Sequence, residues 1–174
     1  ITEGRLDNIN VAGEVNYGIY KVLPLTESRI DFDMNRWELD NIARGAKDVD
    51  YEPLENAMKS LAIFEENAIY NGIENANIKG LKEYVQEEIP FGSSPTEIME
   101  AITKGLIQLR KSFEQGPFVL IVNERAYTNI LSKETAYPLD ERIKELIGGN
   151  IIFSHVVDGA YLLPYDHEDL ELTI

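Results

Sequence analysis

His155 and His167 are the chain's two histidines, and there is no cysteine, so any nucleophile, general base or metal cage must be assembled from them or from carboxylates. They stand twelve residues apart, His155 inside the apolar run NIIFSHVV and His167 in the acidic loop YDHEDL, and neither has an evident serine partner. Asp166, His167 and Asp169 carry cation-binding atoms but read more simply as a solvated surface loop. Glu65 and Glu66 invite a di-metal reading. A ferritin-like site needs Glu-x-x-His on its helices, however, and both histidines lie beyond residue 150, which leaves these glutamates as a solvated helix face. The GGN at Gly148 leads from a helix into a strand, the wrong order for cradling phosphate on a helix N-terminus. No G-x-S-x-G elbow occurs, and with 31 acidic residues any acid–base pair would be arbitrary. No catalytic residue and no metal ligand is read from the sequence.

One residue still asks for a role. Trp37, the sole tryptophan, sits between Arg36 and Glu38 in NRWELDNIARG, beside carboxylates and away from any strongly apolar run.

The 174 residues, 44% apolar and 27% charged, are one domain's worth with enough apolar content for a real core. The formal charge of −15 repels phosphate backbones, which argues against nucleic acid, and it makes any self-association win by apolar burial or screening. No stretch approaches the ~20 apolar residues of a membrane span, and no signal peptide is visible. The chain opens at Ile1 without methionine and stops at Ile174 inside the alternating run DLELTI, so it reads as a fragment with material missing on both sides.

Residues Arg5 to Leu25 hold two alternating runs around Ala12-Gly13, with Leu6, Ile9 and Val11 before the turn and Val15, Tyr17 and Ile19 after it. That predicts a β-hairpin, by pattern alone two strands of an ordinary sheet. Pro53 to Tyr70 has helical spacing, with Asp50 as expected N-cap and Gly72 as C-cap. A second helix is predicted from about Thr96 to Phe113, opened by a Ser94/Glu97 capping box and burying Ile98, Ile102, Leu106 and Leu109. Phe118 to Val122 reads as a strand buried on both faces. A helix from Glu124 to Leu131, another ended by Gly148-Gly149, and strands in NIIFSHVV and AYLLPY complete a mixed sheet with flanking helices.

Four segments carry a resemblance: LPLTESRIDFDMNRWELDNIARG, FEENAIYNG leading to IKGL, GPFVLIVN, and YPLDERIKELIGGNII. In this order and spacing the chain resembles the encapsulins, self-assembling nanocompartment shell proteins also known as linocin- or maritimacin-type bacteriocins. The resemblance covers about residues 13 to 174. It implies an α+β, Hong Kong 97-type phage capsid fold. Residues 1–28 would be an extended-loop hairpin arm, 29–115 a partial peripheral domain with its spine helix at Pro53 to Tyr70, 116–158 an axial domain, and 159–174 return strands. The arm's partners would then belong to the next subunit, with Val11, Val15, Tyr17 and Ile19 at the subunit interface, which overturns the ordinary-sheet reading. Ser132, Lys133, Glu134, Thr135, Ala136 and Tyr137 would line the five-fold pore. The family's N-terminal helix would precede Ile1, and a further peripheral segment would follow Ile174.

The function so implied is structural, not enzymatic. It is a cytoplasmic icosahedral homo-oligomer enclosing a ferritin-like protein or peroxidase, recruited by the cargo's C-terminal targeting peptide, for iron storage or oxidative-stress defence. No nucleic acid or membrane is involved. Some encapsulins hold a flavin on the aromatic that Trp37 matches. The resemblance therefore implies that no cofactor is required for the shell, and that an FMN bound to it would stack on Trp37 with Arg29 facing its edge or phosphate. Packing of Trp37 at a subunit junction is the other reading. Rival functions are a provirus capsid protein of the same fold and a flavin-binding or hydrolytic enzyme.

Overall fold

The strands and helices follow from local sequence chemistry in a computed structural model that describes residues 2–22, 24–85, 87–131, 137–167 and 170. Strands β1 (Thr2–Ala12) and β2 (Val15–Val22) form an antiparallel ribbon. Its two-residue loop is Gly13-Glu14, one position later than the sequence suggested. Gly13 takes φ +66° and Glu14 does not enter the left-handed region, the pattern of a type II′ turn with glycine first.

Helix α1 (Arg36–Ala43) was not foreseen, because eight residues without a buried side chain leave no periodic stripe. Its carboxylate-rich neighbourhood explains it instead. Asn35 Oδ1 accepts from the Trp37 N–H at 2.9 Å, and Glu38 sits in the first turn where negative charge suits the helix dipole. Glu38 also accepts from the Asp50 N–H at 3.4 Å, tying the following loop back to α1.

Helix α2 (Glu52–Asn71) has Pro53 in its first turn and ends at Gly72, as expected. Its N-cap is Tyr51 rather than Asp50. Asp50 Oδ1 still accepts from the Glu52 N–H at 2.9 Å, so the aspartate serves the helix start from one residue further out. Two short strands, β3 (Gly72–Ile73) and β4 (Ile78–Lys79), pair antiparallel.

Helix α3 (Pro95–Lys111) starts with the anticipated capping box: Glu97 N–H donates to Ser94 Oγ, and the Glu97 carboxylate accepts from the Ser94 and Ser93 N–H groups at 2.9 and 3.0 Å. Those backbone donors, Ser93 foremost, lower the Glu97 pKa to about 2. Ile98, Ile102 and Leu106 are buried and Leu109 partly so. Strand β5 (Phe118–Val122) is the centre of a three-stranded sheet, and all five of its residues are buried. It runs parallel to β6 (Ile151–Phe153) and antiparallel to β7 (Ala160–Pro164). Between β5 and β6 lie α4 (Glu124–Leu131) and α5 (Leu139–Ile147). Phe118, Leu120 and Val122 face α3, α4 and α5 through Ile98, Ile130 and Ile143, while Val119 and Ile121 face Val157, Tyr70, Tyr161 and Leu163. Period-two alternation places hydrophobic cover on both sides of this one strand.

Two compact units emerge. The first comprises the described residues of Ile1–Ala68 and Gly72–Gly80, the second those of Ile69–Asn71 and Leu81–Ile174. Among the described residues no helix is long and apolar enough to cross a membrane.

Candidate functional site

The hairpin is the feature whose chemistry is least satisfied within its own chain. Directly opposed residues of an antiparallel pair share a face. The register Ala12↔Val15 and Asn10↔Tyr17 therefore puts Val15, Tyr17 and Ile19 on one side, and Val11↔Asn16 and Ile9↔Gly18 put Ile9 and Val11 on the other. The four residues expected at an interface thus divide, with Val11 on the face opposite to Val15, Tyr17 and Ile19. An irregularity between Leu6 and Asn8 lets Leu6 pair with Tyr20, so that Leu6, which breaks the odd-numbered alternation, rejoins the face of Ile9 and Val11. Both faces of the ribbon therefore carry an apolar row, and Val11 (69%), Val15 (64%), Tyr17 (50%) and Ile19 (61%) are all exposed. Among the described residues the ribbon's strands pair only with each other.

Trp37 lies on α1 with 71% of its surface exposed. Arg29 is also exposed, and its Nε donates to Glu27 Oε1 at 2.7 Å. An open indole face suits a planar ring. The guanidinium already has a carboxylate partner, which an anionic ligand would have to displace, although exposed pairs of this kind are weak.

Of the six residues assigned to a pore, Ser132 to Ala136 lie outside the described residues. Tyr137 is exposed, and its hydroxyl donates to Glu145 Oε1 at 3.0 Å; that bond, aided by the charges of Glu145 and Glu141, raises its pKa above the usual tyrosine value.

His155 does not sit within a strand, because β6 ends at Phe153. Buried Ser154 turns the chain there, its Oγ accepting from the Val156 and Val157 N–H groups at 3.2 and 3.1 Å. The His155 ring packs edge-on against Phe153 at 4.9 Å and, with Arg125 and Thr128, borders an open groove of about 560 Å³. Sequence reasoning missed this groove, since its lining joins α4 to the loop after β6. His167 Nε2 stands 3.0 Å from Glu114 Oε2. Among the described residues no group of three or more His, Asp and Glu is placed to hold a metal ion. Glu65 is exposed and Glu66 half-buried on α2.

The α+β arrangement just described is the Hong Kong 97-type capsid fold. A virus-like particle from Pyrococcus furiosus matches it with a TM-score of 0.55 at 23% identity, over 88% of this chain and 61% of that one. The model of the family described as encapsulating protein for peroxidase matches residues 1–174, and the chain belongs to that family, the encapsulins. The type 1 encapsulin shell protein of Mycolicibacterium paratuberculosis is 33% identical over 153 residues, 87% of this chain and 58% of the relative. That of Mycobacterium tuberculosis is 31% identical over the same shares, and that of Rhodococcus erythropolis 33% identical over 86% of this chain and 57% of the relative. The chain therefore spans under three fifths of the length of these curated relatives.

Proposed function

We propose that the chain acts as a structural shell subunit, assembling with copies of itself into a closed icosahedral compartment in the cytoplasm. The observation that carries this is the ribbon of β1 and β2, apolar on both faces and exposed on both. A two-stranded hairpin is marginal in water by itself, and a neighbour that accepts it supplies the missing cover. Each such contact repeats by symmetry, so modest single contacts add up to a closed cage. In this reading residues 1–28 are the arm, α2 is the spine helix of the peripheral share, the sheet of β5, β6 and β7 belongs to the axial share, and 132–137 line a pore. With a charge of −15 the subunits would also concentrate cations near such a pore.

The role is that of a container, with chemistry supplied by an enclosed protein. The family's description names a peroxidase. A peroxidase or ferritin-like cargo, captured by its C-terminal targeting peptide, would make the compartment serve oxidative-stress defence or iron storage. Electron microscopy and light scattering of the full-length protein at moderate salt test the reading. Closed particles are expected, and protein that remains monomeric at every concentration overturns it.

Exposure of Trp37 favours a second property on the same subunit: a planar ligand such as FMN stacked on the indole, with Arg29 turning from Glu27 to its phosphate. Titrating FMN into the full-length protein should quench tryptophan fluorescence and shift the flavin absorbance band. If Trp37→Ala retains the same flavin content, the indole is not the platform, and packing of Trp37 at a subunit junction takes its place.

A further inference from the structure

The C-terminal end of α3 breaks a local rule. Helices commonly end on a residue in the left-handed conformation, and that residue is usually glycine because a Cβ is penalised there. Here it is Phe113, at φ +67°. Its side chain is also 92% exposed, the most of any large apolar residue among those described. One residue thus carries backbone strain and a fully hydrated ring together, and glycine would relieve both.

The conformation is not loose. Phe113 N–H donates to the Arg110 carbonyl at 3.1 Å, Glu114 N–H donates to the Leu109 carbonyl at 3.0 Å, and His167 Nε2 holds the Glu114 carboxylate at 3.0 Å. Strain that the surroundings enforce this firmly points to use elsewhere. On the turn just before it, Arg110 and Lys111 are exposed, and among the described residues neither makes an ion pair. Their place at a helix C-terminus suits the dipole, but the dipole gives no reason for the phenylalanine.

We propose that this corner, Phe113 with Arg110 and Lys111, is a docking knob that inserts into a second copy of the chain. The inference rests on the shell reading above and adds a contact distinct from the hairpin arm. Charge selects the occupant. With 31 acidic against 16 basic residues, a second copy is acidic on average, so a cationic aromatic knob is complementary to it where most pairs of surfaces would repel. Aromatic and arginine side chains are also the usual anchors of protein interfaces.

The test uses the full-length protein as wild type, Phe113→Gly, Phe113→Leu and the double reversal Arg110→Glu with Lys111→Glu. Assembly is followed by light scattering against concentration, and dissociated subunits are melted in parallel. Phe113→Gly subunits should melt no lower than wild type, since glycine adopts the required φ freely, while the concentration for half-assembly rises at least about tenfold, as for loss of an interface anchor. Phe113→Leu should restore most of that loss. The charge reversal should weaken assembly too, with the difference from wild type shrinking in high salt. Phe113→Gly that assembles like wild type overturns the proposal, and so does a lowered subunit melting point, which would mean that the rest of the same chain covers the ring. Wild type that never assembles removes the shell reading itself, whereas an assembling wild type beside an equally competent Phe113→Gly removes only the knob.

Discussion

Replacing Val15, Tyr17 and Ile19 together by threonine strips one face of the arm while keeping β-branched residues that suit a strand. These side chains are half to two-thirds exposed in the subunit, so their removal takes little from its own fold. Full burial of such a side chain is worth roughly 1.5–3 kcal/mol, and threonine retains a part of it; covering the exposed fraction of all three is then worth about 3 kcal/mol per arm. That corresponds to about a hundredfold in the equilibrium constant of each arm contact, and a closed shell multiplies the deficit over its arms. Size-exclusion chromatography with light scattering over a concentration series reads the assembly, and circular dichroism melts of dissociated material read the subunit. The expected result is unassembled protein with an unchanged melt. Particles formed at the wild-type concentration would refute the reasoning. A collapsed subunit melt would refute it equally, by showing that the arm's apolar row is satisfied at home.

Gly149→Ala should destabilise the sheet unit by about 1–3 kcal/mol or more, because a Cβ there would run into the Phe118 backbone carbonyl in the central strand; thermal melting checks it. Gly148→Ala next door meets only Pro117 at 4.0 Å and should cost roughly 1–2 kcal/mol, from its left-handed φ of +68° alone. Ser94→Ala removes one half of the capping box and should cost about 1 kcal/mol in the same assay. The other half is pH-dependent. Glu97 has a folded pKa of about 2 against the ordinary glutamate value of 4.5, so its contribution is complete above pH 4.5 and is lost as pH falls toward 2. Over that window wild-type stability should fall more steeply than that of Glu97→Gln, and parallel acid limbs would remove the carboxylate from the cap.

Where burial and chain periodicity coincide, the sequence was readable. Phe118 to Val122 is apolar at every position because both sheet faces are covered, and the Ser94/Glu97 spacing is a hydrogen-bond geometry written in residue types. Trp37 and its helix were harder. Helix α1 buries nothing and is held by the Asn35 cap, with Glu38 in its first turn, so a search for apolar periodicity passes over it. His155 was assigned to a strand because NIIFSHVV continues the apolar pattern, but Ser154 Oγ takes two backbone N–H groups and ends the ladder. The place of Leu6 on the arm was hidden for a related reason. A two-residue loop at Ala12-Gly13 or at Gly13-Glu14 opposes odd to even positions alike, so Val11 falls on the face opposite to Val15 in both, but the irregularity between Leu6 and Asn8 that carries Leu6 to the face of Val11 is a backbone feature with no residue signature. Phe113 carries no sequence signal, because a left-handed φ at a non-glycine residue is a property of coordinates alone.

Burial is distributed unevenly, and that unevenness bears on what the chain is for. Nearly all the buried hydrophobic residues belong to the second unit, around β5, α3, α4 and α5, whereas Ala57 is the one buried hydrophobic among the described residues of the first. The share of α2 that belongs to the first unit, up to Ala68, thus exposes Met58, Ile63 and Phe64 while charged residues alternate among them. Helical stability in proteins comes mainly from packing an amphipathic face, and a unit with one buried alanine lacks that source within the described residues. The second unit has a core of its own, and on the shell reading the cover that the first lacks comes from a neighbouring subunit. In that reading, an arm that is apolar on both sides, a long helix with several hydrophobic residues exposed and a well-packed sheet unit divide the labour of the subunit, one part keeping it folded and the other completed by contact.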